Sequence, residues 1–474
     1  MIPTWLGLVA VFASAQDPSV HPADTIEEAG TRALEALPDD VAGTTILANA
    51  VVMTATGTQI PRGYVVLSEG VISAIGEGEP PVIEGAVTVD AEGTFITPGL
   101  IDTHSHLGVY PSPGARAHGD GNEATAPTTA GVWAEHSFWP QDPGLQRAIA
   151  GGVTALQILP GSANLIGGRG VVLQMTPARG SRAMRFPGAP ETVKMACGEN
   201  PKRVYGHHRN SAPSTRMGNL RGQRQAFADA QAYVETWDRW AEKAAKRPSD
   251  ASKKKKGGGG QKEGGKPPER NLNKETLSGV LKGRVLPQIH CYRADDMLSM
   301  MQLADEFGFQ IRSFHHALEA YKIRDLLAEH EIASSTWADW WGFKLEAYDG
   351  IQENAALLTE SGARAIIHSD SGIGIQRLNQ EAAKAYHAGL AAGVDLSEDD
   401  ALRWVTVNPA WALGIDDLTG TLEVGKRGDV AIWDGHPFSV YSKARWVYVN
   451  GTLAYDADAP GTWSDFEIGQ EVTP

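Results

Sequence analysis

The chain has 474 residues, 42% hydrophobic and 21% charged, with 57 acidic against 42 basic residues and a formal net charge of −15. That is the composition of a folded globular protein long enough for a large core, and the acidic excess speaks against a dedicated nucleic-acid binder, which carries a basic face. The two cysteines, Cys197 and Cys291, exclude a disulfide framework and a Cys-rich zinc site; they read as buried thiols, with one bridge open to them if the fold brings them together.

The first residues, MIPTWLGLVAVFASAQD, set an apolar run from Trp5 to Phe12 before the small-x-small pattern Ala13–Ser14–Ala15. Residues 1–15 read as a secretory signal that lacks the usual positive start. The expected location is therefore secreted or periplasmic, and cytoplasmic if this run is instead a buried segment. The run is too short to span a bilayer, and no later run is long and apolar enough to do so.

From 44 to 97, TTILANAVVMTATG, GYVVLSEGVISAIGEG and AVTVDAEGTFITPG are short β-branched runs punctuated by glycine, the texture of a small antiparallel sheet. From 98 to 413, short apolar strands alternate with helix-like stretches such as Ala294–Phe307, Glu319–His330 and Arg377–Gly393. Such alternation indicates α/β architecture with a parallel sheet, and the number of units predicts a closed (β/α)8 barrel of the TIM type. Strand texture returns over 414–460, so the two terminal segments are expected to pair into one composite β-sandwich beside the barrel. Asn164–Val172, NLIGGRGVV, lacks the ending of a phosphate loop and reads as a tight turn near the site. Lys243–Asn271, rich in Lys, Gly and Pro, is expected to be a disordered insertion.

In a parallel barrel the functional side chains gather at the C-terminal ends of the strands. His104 and His106, in PGLIDTHSHLG, stand at i and i+2 of an extended chain and face the same side. Lys194 lies in ETVKMACG, His290 ends VLPQIHC, His315 and His316 end FQIRSFHH, and His368 and Asp370 end ARAIIHSD. Imidazoles joined by a carboxylate suit zinc and similar ions. The loop after Lys194 offers Glu199, Arg203, Tyr205, His207, His208, Arg209 and Arg216; its cationic donors suit a substrate carboxylate. Tyr292 is placed to orient a carbonyl, and WADWWGFK brings Trp337, Trp340, Trp341 and Lys344 to the mouth, as an aromatic pocket or as packing of a lid.

FITPGLIDTHSHLG resembles the opening signature of the metal-dependent amidohydrolase superfamily, and TVNPAWALGI with GTLEVGKRGDVAIWD resembles its closing signature. The resemblance runs from Ile46 to Asp456. VKMACG and HCYRADD are most similar to the branch with imidazolonepropionase-related proteins and metal-dependent prolidases. The resemblance implies that His104 and His106 bind a divalent metal, expected to be zinc, with Asp370 as a further ligand and general base. It implies that His290 and His316 hold a second ion, one or two per chain, bridged by a carboxylated Lys194 or, alternatively, by Glu199. The family spacing favours His316 over His315, which would then point to the opposite side of an extended strand.

The activity implied is hydrolysis of an amide or cyclic amide C–N bond, as in a dipeptide or N-acyl amino acid. The ion lowers the pKa of a bound water to give the attacking hydroxide, and Asp370 passes the proton to the leaving nitrogen. The loop residues Tyr205, His207, Arg216 and Tyr292 are the substrate contacts expected. A deaminase of the same architecture and a non-catalytic scaffold are the competing readings; filled ligand positions count against the scaffold. The expected partner is a small molecule or short peptide, not nucleic acid or a membrane, with a homo-oligomer left open.

Overall fold

The computed structural model describes residues 43–245 and 266–459, so the signal reading over residues 1–15 and most of the Lys/Gly-rich insertion lie outside the described residues. The glycine-punctuated runs form β1 (Thr44–Met53), β2 (Gln59–Ser68), β3 (Val71–Glu77), β4 (Val87–Asp90) and β5 (Phe95–Pro98). β1 pairs antiparallel with β2, while its other edge is shared by β4, opposite Thr45–Ala48, and β5, opposite Val51 and Val52.

Next in the chain come the barrel strands β6 (Leu100–Ser105), β7 (Val153–Ile158), β8 (Ile166–Gln174), β9 (Glu191–Ala196), β10 (Val285–Cys291), β11 (Ser313–His316), β12 (Ala333–Thr336) and β13 (Ala365–Ile367). Then β14 (Val430–Trp433), β15 (Ala444–Val449) and β16 (Thr452–Asp456) rejoin the first sheet, β14 lying antiparallel on β5 with Val430 opposite Pro98. The terminal segments thus build one composite β layer. Residues two apart, Val65 with Leu67 and Val430 with Ile432, face its apolar core.

The barrel sheet runs in chain order from β6 to β13. β8 lies antiparallel to both neighbours, so the expected all-parallel barrel carries one reversed strand. The stretch read as a tight turn is this strand, nine buried residues long. Its glycines serve close packing rather than a turn: a Cβ on Gly168, at φ +122°, would lie 2.5 Å from the Val132 carbonyl oxygen, and one on Gly170 would lie 2.6 Å from Thr192 Oγ1.

No ladder joins β13 back to β6 among the described residues. At one end of this seam, Ile367 N–H donates to Trp404 O and Ile101 N–H to Val405 O, at 3.0 and 2.9 Å. At the other end, Asp370 N–H donates to His104 O at 3.0 Å. The buried Asp102 carboxylate accepts there from the Ser369 N–H at 3.2 Å, from the Ser369 hydroxyl, and from the His104 N–H at 3.0 Å.

Helices cover the outside. Ala294–Phe307 buries Met297, Met300, Met301 and Ala304, one stripe at helical spacing, and carries Asp295 and Asp296 in its first turn, where the helix dipole favours anions. The two ends of the Lys/Gly-rich stretch belong to helices: Lys243–Ala245 finish the helix Arg216–Ala245, and Asn271 caps the helix Leu272–Leu281 by accepting from Lys274 N–H. The reading of two free thiols is also corrected. β9 and β10 run side by side with Ala196 opposite His290, which sets Cys197 beside Cys291 at a Cα separation of 5.3 Å, and the two form a disulfide. Among the described residues no helix is long and apolar enough to cross a membrane.

Candidate metal centre

The strand ends bring six histidines, a lysine and an aspartate together. His106 Nε2 and His104 Nε2 lie 3.3 and 3.7 Å from Asp370 Oδ1, Lys194 Nζ lies 3.1 Å from His104 Nε2, and His316 Nε2 lies 3.9 Å from Asp370 Oδ2. His104, His106 and Asp370 each offer a ligand atom within 4.8 Å of the others. The His290 ring stands 4.5 Å from that of His316.

Two strand ends are bent to achieve this. His316 sits at φ +70° and Asp370 at φ +43°, left-handed positions that cost a side-chain-bearing residue roughly 1–3 kcal/mol each. An extended β11 would send His315 and His316 to opposite sides. The kink at His316 instead lets both reach the barrel interior, which corrects the expectation that His315 points away.

Burial is the first cause of the protonation states. It holds His104, His290, His315 and His316 well below the ordinary imidazole value, and brings His106 and His368 down to about 3. Every ring is therefore neutral, with one N–H and one bare nitrogen. His106 Nδ1 is 2.8 Å from Leu159 O; a carbonyl only accepts, so the proton is on Nδ1 and Nε2 is bare toward Asp370. His316 N–H donates to His368 Nε2 at 3.3 Å, and His316 Nδ1 lies 3.2 Å from the same bare nitrogen. His316 therefore keeps its proton on Nδ1 and turns a bare Nε2 to the site. Burial also lowers the Lys194 ammonium and raises the Asp370 carboxyl, each away from its charged form.

The mouth is aromatic. Trp337 and Tyr292 stack on His316 at ring separations of 4.4 and 5.1 Å, and Phe343 meets both edge-on. Lys344 Nζ sits 4.0 Å over the Tyr292 ring, 3.2 Å from Glu199, and donates to Asn200 Oδ1 at 3.1 Å. That fixes the Asn200 amide: its NH2 group faces His290 Nε2 at 3.2 Å.

The amidohydrolase family pattern matches residues 234–461. A crystal structure of an amidohydrolase from Thermotoga maritima MSB8 is 35% identical, with a TM-score of 0.76, over 87% of this chain and 100% of that one. The chain belongs to the amidohydrolase family. Amidohydrolase tasK of Hapsidospora irregularis is 34% identical over 410 residues, 83% of this chain, which spans only 40% of that protein's length. An imidazolonepropionase of Mesorhizobium japonicum is 27% identical over 406 residues, 79% of this chain and 87% of that protein.

In this amidohydrolase, His104, His106 and Asp370 fit a divalent cation: two imidazole nitrogens, that of His106 bare, and a carboxylate are the donors such an ion takes. His290 and His316 offer two more nitrogens; on the Nε2 side of His290 a second ion would displace the Asn200 amide. Of the two bridge candidates, Lys194 reaches the cluster, whereas Glu199 is taken up by Lys344.

Of the expected substrate contacts, Tyr292 faces the site. Tyr205 does not: it is buried and donates its hydroxyl to Ala126 O at 2.6 Å. Arg216 is spent on Asp296, at 3.0 Å, and on the buried Glu346. His207 is exposed at the end of the π-helical turn Arg203–His207. Polar loop residues that tether one loop to another look the same in sequence as those that hold a ligand. Gln288, Asp102 and Asn200 went unread; the first two stand two residues before His290 and His104, on the same strand faces, which was the available signal.

Proposed function

We propose that this amidohydrolase is a metal-dependent hydrolase of carbon–nitrogen bonds in amides, cyclic amides or short peptides. The observation that carries the reading is the convergence of the bare Nε2 of His106, His104 Nε2 and Asp370 Oδ1, at 3.3 and 3.7 Å, on one point at the barrel mouth. A divalent ion held there supplies Lewis acidity and a water of lowered pKa. His104 and His106 would hold it, with Asp370. Asp370, its carboxyl raised by burial, is suited to take a proton from water and deliver it to a leaving nitrogen. Lys194, its amine pushed toward neutrality by burial, would add CO2 with loss of a proton, and the carbamate so formed would offer anionic oxygens to the site. The Tyr292 hydroxyl would orient the carbonyl, its ring being stacked on His316, and Trp337, Trp340 and Phe343 would offer apolar surface to the rest of a small substrate.

A deaminase with a single ion is the second reading, and the Asn200 contact to His290 is the observation on its side. The test is metal analysis of the full-length protein, followed by chelation, reloading and a screen of dipeptides, N-acyl amino acids, cyclic amides and aminopurines. Metal-dependent release of an amine or carboxylate supports hydrolysis. Release of ammonia from the aminopurines alone would move the assignment to the deaminase. Turnover unaffected by chelation would overturn both.

A further inference from the structure

We propose that Gln288 and His315 are positioning residues that set which nitrogen of His104 carries the proton and so which one faces the ion. The proposal rests on the reading of His104 as a ligand. The Ala412 carbonyl oxygen accepts, so the Gln288 atom 2.9 Å away is its NH2 group. Gln288 Oε1 is then the atom 2.7 Å from His315 Nε2, and an amide oxygen also only accepts. His315 must carry its proton on Nε2. The ring is fully buried and its two nitrogens meet an amide oxygen and an imidazole, neither of them an anion that would hold a charged ring, so Nδ1 is bare. That bare nitrogen lies 2.9 Å from His104 Nδ1, so His104 donates there and its Nε2 is bare. Nε2 is the nitrogen that faces Asp370 and Lys194. Gln288, His315 and His104 are each at most 1% exposed, so water does not compete at any link.

A second explanation for these contacts is an inner ion held by His104, His315 and His368, whose nitrogens lie within 4.8 Å of one another. The distance decides against it. Two imidazoles on one tetrahedral ion stand about 3.3 Å apart at ordinary zinc–nitrogen bond lengths, whereas 2.9 Å is a hydrogen-bond separation. Gln288 also completes His315 on its other side. The doubled histidine at 315 and 316 thus divides its work: His316 turns to the site and His315 orients a neighbour's ligand.

The test compares Gln288→Met, which keeps the volume and removes both hydrogen bonds, with Gln288→Glu. Buried as the neutral acid, a glutamate side chain still donates to Ala412 O and accepts from His315. Zinc affinity of the chelator-stripped, full-length variants is measured by competition with a chromophoric chelator, and histidine tautomers of the metal-free wild type by 15N NMR. Expected are His104 protonated on Nδ1 and His315 on Nε2 in the wild type. Zinc affinity should fall roughly 10–100-fold in Gln288→Met, the usual effect of removing a ligand's outer partner, and recover in Gln288→Glu. A wild-type spectrum with His104 protonated on Nε2, or a folded Gln288→Met with unchanged affinity, would overturn the proposal. If Gln288→Met does not fold, the wild-type spectrum decides alone. His104→Ala tests the underlying reading: unchanged zinc affinity there removes the metal site itself, and the proposal with it.

Discussion

Asp102→Asn is expected to stabilise the metal-free protein above pH 6. Burial, only partly offset by the bonds from Ser369 and His104, lifts the Asp102 carboxyl from 3.8 to about 6. The unfolded chain gives up this proton about two pH units earlier than the folded chain does. Between roughly pH 4 and 6 the folded state therefore holds a proton that the unfolded state lacks, and stability falls as pH rises through that window. Above pH 6 the loss levels off at about 3 kcal/mol, the shift of roughly two units at ~1.4 kcal/mol each. Asparagine cannot ionise, and its oxygen can accept both N–H groups that now bond Oδ1, while its NH2 meets the Ser369 hydroxyl. Asp102→Ala instead strands the N–H groups of His104 and Ser369, at roughly 1–3 kcal/mol each, and should lie ~2–6 kcal/mol below Asp102→Asn at every pH. Urea unfolding of the three chelator-stripped proteins from pH 4 to 8 measures this. A difference between Asp102→Asn and wild type that does not grow with pH would refute the reasoning.

Other expectations follow from the site. Asp370→Asn should lower kcat roughly 10²–10⁴-fold at saturating metal with an unchanged thermal melt; wild-type turnover would remove Asp370 from the proton transfer. Arg216→Ala should cost about 1–3 kcal/mol, less than a fully buried pair because the arginine side chain is 35% exposed, while KM stays within twofold; a large KM change at unchanged stability would return Arg216 to the substrate. Phe343→Ala removes a 57% exposed ring whose aromatic neighbours are Tyr292 and Trp337, with Lys344 Nζ 6.0 Å from its centre. KM for apolar substrates should rise roughly tenfold, from about 50 Å² of lost contact at ~25 cal/mol/Å², with stability unchanged. A destabilised variant with normal KM would make the ring packing instead.

The barrel and the composite sheet were legible because periodicity and glycine punctuation report local texture, and Ala294–Phe307 forms the helix its pattern predicts. β8 was not, because Gly168 and Gly170 carry the same letters as a turn; only the approach of Val132 to the first and of Thr192 to the second explains them. His104, His106 and Asp370 were legible as chemistry at strand ends. The role of His315 depends on a positive φ at the next residue and on a glutamine from the neighbouring strand, neither visible in a local window. The same limit applied to the cysteines: their pairing follows from the register of β9 against β10, a long-range property.

The closure of the composite sheet by β14 has a consequence for biosynthesis. β5 leaves the ribosome with the edge that β14 will occupy still open, and the strand that fills it follows only after roughly 330 further residues, about 20–70 seconds at ~5–20 residues per second. For that interval the nascent N-terminal sheet carries an unpaired, apolar edge of the kind that recruits other strands. Shortness limits the hazard, since β5 has four residues and Pro98 withholds one backbone donor. The demand for protection during synthesis thus falls on β1–β5, made before the barrel, and it ends only when β14, made after the barrel, arrives.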